Sequence, residues 1–244
     1  MNKEPDVIYS SHEFKVLNKS RGWHSVGSGR TNEPSVEDWL KTADPEVAEN
    51  LPESGIVHRL DFLTSGCLMI ARSLDTYHLL RDAFSGVQVR KRYWALVEAQ
   101  AELPSRGHFD LCFQSRYKRS KKISVSRFGP NEQRGQCSWR QIGGLLKVGP
   151  KNARLLEVEL IGPGRRHQIR AGFAFFDAPI IGDPLYGLPL QSKREALNQQ
   201  DEKLEFFGLH ASRLDLPATL LGSPQDLCFL ASAPEDWPAF STPD

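Results

Sequence analysis

Alternation of apolar and polar residues dominates the middle of the chain. Residues 87–99 alternate, with Tyr93 on the apolar face, and residues 154–160 repeat the pattern. Residues 66–71 form a continuous apolar run, which is typical of a strand buried on both faces. We therefore predict strands at these three places, and a region rich in hairpins at residues 100–150.

Helical spacing is confined to shorter stretches. One predicted helix lies near residues 36–42 and another at 167–176. A third begins after Ser73, a favourable N-cap residue, and ends at Gly86, a favourable C′ residue. Strands and helices alternate without the regular rhythm of a doubly wound sheet, and the basic hairpin region favours an antiparallel or mixed sheet. The pattern predicts an α+β fold.

Composition adds few constraints. The chain has 244 residues, 39% of them hydrophobic and 25% charged, which fits one large globular domain or two small ones. Apolar runs are far shorter than the roughly 20 residues that a membrane span needs. The four cysteines are widely spaced, so neither a disulfide framework nor a zinc site is expected. A reducing cytoplasm is the expected location, with no membrane association.

Charge is distributed unevenly along the chain. The formal net charge is only +1, but it is −4 over residues 1–80, +12 over residues 81–170 and −7 over residues 171–244. A basic middle between acidic flanks favours a surface for a polyanion such as nucleic acid. Solvated lysines and arginines scattered over a domain are the alternative.

The first candidate site is the sequence His58-Arg59-Leu60-Asp61, followed by Thr64-Ser65-Gly66 at the start of a buried strand. On an extended backbone, Arg59 and Asp61 project to the same side. A guanidinium at that position would keep the carboxylate ionised, ready to act as a nucleophile or general base. The alternative is a structural carboxylate that binds loop amides beside its own arginine.

The second candidate site is Gly164–Arg170, at the start of the predicted helix. Cations at a helix N-terminus oppose the helix dipole, and Arg166 and Arg170 repel each other at i,i+4 spacing. A bound phosphate or carboxylate would offset both costs. The alternative is that Arg165 and Arg166 extend into water or pair with distant acids.

The third candidate site combines Tyr93, in the alternating strand, with the basic stretch 116–122. The Tyr93 ring could stack on a base or could simply pack in the core. The basic stretch contains no acid, which suits a nucleic-acid backbone, although a mobile solvated hairpin has the same composition. The chain has no phosphate-binding P-loop, no dinucleotide-binding glycine turn and no zinc-protease motif.

In this order, the three sites resemble the RluA family of RNA pseudouridine synthases. Residues 58–66, 91–97 and 164–170 resemble the family motifs H-R-L-D-x-x-T-S-G, K-x-Y-x-A-L-V and G-R-T-H-Q-I-R, and shorter likenesses lie at 16–22, 178–187 and 209–211. Three residues depart from the family pattern: Ser20 replaces a proline, Arg166 a threonine, and Gly172 a common histidine.

The resemblance implies a single pseudouridine synthase domain over residues 1–244, with no separate N-terminal RNA-binding domain. Its fold would be a central mixed, mainly antiparallel β-sheet with flanking helices and loops, crossed by an active cleft. The implied activity is the isomerisation of specific uridines in tRNA or rRNA to pseudouridine. Asp61 would attack the ribose or assist abstraction from it, Arg170 would pair with Asp61, and Tyr93 would stack under the base and accept a late proton.

The resemblance also implies the remaining site residues. Those expected to bind the substrate nucleotide are His58, Arg59, Thr64, Arg165, Arg166, His167 and Ile169, with Arg59 helping to hold the flipped base. Those expected to bind the RNA backbone are Arg116, Lys118, Arg119, Lys121 and Lys122. No cofactor or metal is expected, RNA is the expected partner, and the expected oligomeric state is a monomer.

Two other functions remain open from the sequence. The three departures motivate a catalytically inactive RNA-binding protein on the same fold. A hydrolase that uses Asp61 and a histidine lacks a supporting nucleophile motif or metal spacing.

Overall fold

The computed structural model describes residues 3–27, 29, 32–99, 103–115, 117, 120–187 and 206–240. The chain divides into two compact units: residues 1–92 with 210–234, and residues 93–209 with 235–244. The prediction of a single domain stays a prediction. Within the described ranges, no helix is long and apolar enough to span a bilayer.

The first unit contains a mixed sheet with helices beside it. Its strands are β1 (Asp6–Ser10), β2 (Phe14–Lys19), β3 (Ser65–Ala71), β9 (Leu209–Leu216) and β10 (Leu227–Leu230), in the order β1-β2-β3-β9-β10. Its helices are α1 (Val36–Ala43), α2 (Pro45–Asn50) and α3 (Leu74–Ser85). β3 and β9 run parallel, and the other neighbouring strands in this unit are antiparallel.

In its described residues, the second unit contains a mainly antiparallel sheet and one helix. Its strands are β4 (Arg90–Glu98), β5 (Arg106–Ser115), β6 (Ile123–Ser126), β7 (Arg134–Val148) and β8 (Lys151–Ile161), in the order β4-β8-β7-β5-β6. The helix is α4 (Gln168–Phe175). β7 pairs with both β5 and β8 in antiparallel register, and β5 pairs with β6. The predicted α+β class, with a mainly antiparallel sheet and flanking helices, is confirmed.

Burial along the strands follows the predicted pattern. Every residue of β3 is buried, and the predicted apolar face of β4 is buried through Tyr93 and Val97. In the first unit, the buried face of α3 packs on β3 through residues such as Leu80 of α3 and Met69 of β3. Burial of these apolar side chains is the main force that holds each unit together.

Helix ends agree with the prediction only in part. The side chain of Ser73 accepts a hydrogen bond from the Thr76 amide at 3.2 Å, so the predicted N-cap of α3 is confirmed. Gly86 is the C-cap of α3, one position before the C′ residue that we had predicted. Its φ is −90°, so it does not adopt the left-handed conformation that is usual at C′. Leu74 is 50% exposed, because it lies at the first position of the helix, outside the core.

Gly66 shows why the turn before β3 needs a glycine. Its φ is +113°, and a Cβ at this position would collide with the carbonyl oxygen of Ala211 on the parallel strand β9. A glycine therefore permits the close approach of the two strands at the point where β3 begins.

Candidate active site

The Asp61 loop lies between the short helical turn at 52–55 and β3. Its exit is a tight turn, since the Thr64 amide donates to the Asp61 carbonyl at 3.0 Å. The side chain of Thr64 is buried, whereas Asp61 is half-buried. Asp61 is thus held in a folded loop and is partly exposed to solvent.

The residues on either side of Asp61 are fixed in place. The buried hydroxyl of Ser25 accepts from the Leu60 amide at 2.9 Å and donates to the Leu60 carbonyl at 3.1 Å. On the other side, the Phe62 carbonyl accepts from the Gly22 amide at 2.9 Å. Because both neighbours are held by hydrogen bonds, Asp61 has little freedom to move along the loop.

Lys19 places a buried amine next to this loop. Its Nζ donates to the carbonyls of Trp23 at 2.8 Å and Ser20 at 3.0 Å, and lies 3.5 Å from that of Phe62. Burial lowers the pKa of Lys19 to about 7, and the charge of Asp61 opposes that shift. Lys19 was not predicted as a site residue, because a lysine in a short motif carries no sign of burial.

The stability of the protein is expected to rise between pH 7 and pH 9 through Lys19. The pKa of this lysine is about 7 in the folded chain against 10.5 ordinarily, so the unfolded chain binds the proton that the folded chain has lost. The free energy of unfolding should therefore increase by about 2 kcal/mol over this range, measured by urea denaturation.

Lys19→Met is the control for this pH dependence. The variant has no titratable group at this position, so its free energy of unfolding should be nearly flat over the same range. The range ends at pH 9 because burial raises the pKa of Cys67 from 9.0 to about 12, which acts in the opposite direction. An equal slope in both proteins would show that Lys19 is not the group responsible.

His58 has a structural role in the fold. Its Nε2 accepts a hydrogen bond from the Met69 amide at 3.1 Å, and its ring stacks on Phe84 with centroids 4.2 Å apart. Burial, with the charge of Lys91 as a smaller cause, lowers the pKa of His58 to about 3. A neutral acceptor bound to β3 fixes the entry of the loop, so this contact accounts for the histidine without a substrate.

Arg59 has a partner that the sequence did not suggest. Its side chain is 59% exposed and forms an ion pair with Glu53. Glu53 lies in a turn with left-handed backbone, φ 49°, which brings its carboxylate toward Arg59 and Arg81. No local periodicity reveals this turn, and the predicted effect of Arg59 on Asp61 has no support from this contact.

The second group of candidate residues lies on α4 and the segment before it. Arg170 is 4% exposed and forms a two-point ion pair with Asp183, with Nε–Oδ2 2.7 Å and Nη2–Oδ1 3.0 Å. The guanidinium also lies 5.5 Å from the ring centre of Tyr186 and 5.3 Å from that of Phe207. Asp183 was missed as a partner, and the predicted pairing of Arg170 with Asp61 stays a prediction.

The prediction for Arg165 and Arg166 was wrong about the helix. α4 begins at Gln168, and His167 is its N-cap with φ +54°, so both arginines precede the helix and the i,i+4 repulsion does not arise. Arg165 Nε donates to the Arg134 carbonyl at 2.8 Å. Arg166 donates to the carbonyls of Ser120 and Lys121, both at 3.0 Å. Main-chain acceptors therefore bind both side chains, where an anion or solvent had been the two alternatives.

The remaining predicted residues divide by exposure. Ile169 is 4% exposed and Tyr93 9% exposed, so both lie mainly in the protein interior. Lys121 and Lys122 are exposed. Arg116, Lys118 and Arg119 lie outside the described residues. No group of three His, Cys, Asp or Glu in the described ranges could hold a metal ion. The expectation that no cofactor is needed stays a prediction.

The departure at Gly172 has a packing explanation. A Cβ at this position would collide with the ring of Phe109 on β5. Phe109 in turn lies edge-on to Phe173, with centroids 5.9 Å apart. A histidine side chain does not fit beside this aromatic cluster, so Gly172 suits the core of this chain rather than its substrate.

Comparison with known proteins identifies the family. Residues 13–175 match the model of the RNA pseudouridylate synthase family. The chain belongs to this family. The resemblance to RluA-type enzymes is thereby confirmed, and so is the expected enzyme class, an isomerase that acts on RNA, at the level of the family.

Relatives of known name agree with this assignment. Ribosomal large subunit pseudouridine synthase D of Xylella fastidiosa is 31% identical, over 93% of this chain and 69% of the relative. The protein of that name from Xanthomonas campestris is 30% identical, over 95% and 66%. An uncharacterized RNA pseudouridine synthase of Zymomonas mobilis is 33% identical, over 86% of both chains. The chain thus spans about two thirds of the length of the two large-subunit relatives.

A solved structure supports the fold. Human RNA Pseudouridylate Synthase Domain Containing 4 has a TM-score of 0.68 and 23% identity, over 94% of this chain and 89% of that one. The predicted pseudouridine synthase fold is confirmed.

Proposed function

We propose that this chain converts specific uridines in ribosomal RNA to pseudouridine, with Asp61 as its catalytic carboxylate. The observation that carries the proposal is the construction of the Asp61 loop: a half-buried carboxylate, held by hydrogen bonds at both neighbouring residues and next to the buried amine of Lys19. A fixed carboxylate in a partly desolvated loop suits covalent catalysis.

The reaction is an isomerisation, so uridine and pseudouridine contain the same atoms. The bond between N1 and ribose C1′ breaks, the uracil rotates, and C5 bonds to C1′. The proton on C5 then leaves, and N1 gains one. Asp61 would attack the sugar or assist abstraction from it, and both routes need an ionised carboxylate. Tyr93 would lie under the base and receive the C5 proton.

Basic residues supply the proposed contact with RNA. Residues 81–170 carry a formal net charge of +12, and the exposed Lys121 and Lys122 lie in this region. Cations there would bind phosphates, while the target base is flipped out of its helix at a cost of a few kcal/mol. We propose action as a cytoplasmic monomer, without cofactor or metal.

Ribosomal RNA is preferred to tRNA because two relatives about 30% identical are named for the large ribosomal subunit. The test uses unmodified transcripts of large-subunit ribosomal RNA and of tRNAs, each incubated with the protein and digested to nucleosides. Pseudouridine has the mass of uridine and separates from it by chromatography.

Pseudouridine in the ribosomal transcript alone supports the proposed activity and the choice of RNA. Pseudouridine in tRNA alone overturns the choice of RNA. Binding of both RNAs without a product supports the inactive RNA-binding protein, and release of free uracil supports the hydrolase.

A further inference from the structure

The basic segment 120–123 is fastened to the residues before α4 by Arg166. One guanidinium nitrogen, Nη1, donates to the Ser120 carbonyl and the other, Nη2, to the Lys121 carbonyl, both at 3.0 Å. A planar guanidinium can hold two neighbouring carbonyls in a fixed geometry. Threonine, which the family motif has at this position, is too short to make both bonds.

Tyr186 is a second fastening point for the same segment. Its hydroxyl accepts a hydrogen bond from the Ile123 amide at 2.9 Å and lies 3.0 Å from Nδ1 of His167. The ammonium of Lys122 lies 5.6 Å from the centre of the Tyr186 ring. The segment is therefore held at Ser120 and Lys121 by one residue and at Ile123 by another.

Tyr186 is itself positioned by the ion pair of Arg170. Oδ1 of Asp183 accepts from the amides of Leu185 at 2.8 Å and Tyr186 at 3.1 Å, as well as from Arg170. Direct contacts thus connect the guanidinium of Arg170, through Asp183 and Tyr186, to the amide of Ile123. Asp183 and Tyr186 therefore contact Arg170 on one side and hold the basic segment on the other.

The segment presents its cations to solvent while its backbone is bound. Lys121 and Lys122 are exposed, and Ser120 is 6% exposed with its hydroxyl donating to the Lys122 carbonyl at 2.6 Å. The four hydrogen bonds that hold these residues, together with the two exposed lysines, indicate a surface arranged before its ligand binds. Phosphate groups of RNA complement such a surface.

We propose that Arg166 and Tyr186 are positioning residues, which hold segment 120–123 ready to bind RNA phosphates and so set the affinity for folded RNA. This inference rests on the proposed function for its ligand. Arg166 then contributes to RNA affinity through the segment that it holds. The departure from the family's threonine is explained by this contact, because an arginine reaches both carbonyls.

Arg166→Thr is the test variant, because it removes both bonds and installs the residue of the family motif. KM for the folded RNA substrate should rise about 3- to 10-fold, with a smaller change in kcat, because the binding-competent arrangement of the segment is populated less. Hydrogen exchange at the Ile123 amide of the free protein should become at least about tenfold faster. Tyr186→Phe should show the same exchange effect.

Two further variants separate positioning from charge. Arg166→Lys keeps the charge but loses the planar fork, so it should behave like Arg166→Thr. Lys41→Thr removes an exposed cation on α1, outside region 81–170, that pairs with Asp38 at 2.6 Å, and it should leave KM and exchange unchanged.

Each outcome decides the proposal. Wild-type behaviour of Arg166→Lys beside a raised KM for Arg166→Thr would show that Arg166 acts by charge alone, and would overturn it. Unchanged exchange at Ile123 in Arg166→Thr would also overturn it. If the wild-type protein modified no RNA, the proposed function would fail, while exchange in the free protein would still decide whether the residues hold the segment.

Discussion

Asp61→Asn is expected to slow pseudouridine formation by at least about 10³-fold, because the amide is neither a nucleophile nor a base. The substitution preserves the shape of the side chain, and the backbone bonds that fix Leu60 and Phe62 do not involve the carboxylate. Folding and RNA binding should therefore persist. Single-turnover conversion of a bound transcript measures the loss directly, without a contribution from product release.

Asp82→Asn is the matched control for this prediction. Asp82 is an exposed aspartate on α3 in the same unit, so its substitution changes the net charge equally without touching the loop. It should convert RNA at the wild-type rate. If Asp61→Asn bound RNA, melted like the wild type and retained more than about a tenth of its rate, the carboxylate would not be the catalytic group.

Asp183→Ala is expected to lower the free energy of unfolding by about 3–5 kcal/mol, the range found when one partner of a buried ion pair is removed. The side chain of Asp183 is fully buried, and that of Arg170 is 5% exposed. The variant loses the two-point pair and the acceptor for the amides of Leu185 and Tyr186. For a chain of this size, the melting temperature should fall by about 10 °C, measured by calorimetry.

Glu157→Ala provides the comparison for this stability effect. Glu157 pairs with Arg140, whose side chain is 45% exposed, so water screens the interaction. Its loss should cost less than about 1 kcal/mol. Equal losses of unfolding free energy in the two variants would show that burial does not strengthen the contribution of the Arg170–Asp183 pair to stability.

Apolar periodicity was sufficient to predict the elements that carry the site. The buried run before Ala71 and the alternation through Tyr93 both became strands, because burial of apolar side chains decides such segments. The N-cap at Ser73 was equally predictable, since its hydrogen bond spans only three residues. Local signals sufficed wherever the interacting groups are close along the chain.

Partners distant in sequence were not predictable in this way. Arg166 binds carbonyls about 45 residues away, and its i,i+4 spacing from Arg170 suggested a repulsion that the left-handed His167 removes. Asp183 lay inside a stretch noted only for its family resemblance. The partners of these polar side chains are brought close by the tertiary structure. No local pattern in a single sequence therefore identifies them.

Tritium release from RNA labelled at uridine C5 tests the role of Asp61 most directly, when the wild type and Asp61→Asn are compared on the same transcript. Formation of the new bond at C5 expels the proton from that carbon, so each pseudouridine should release one tritium to water. We expect release by the wild type that matches the pseudouridine formed, and almost none by Asp61→Asn. Comparable release by both proteins, or pseudouridine formation by the variant, would contradict the claim that Asp61 carries the reaction.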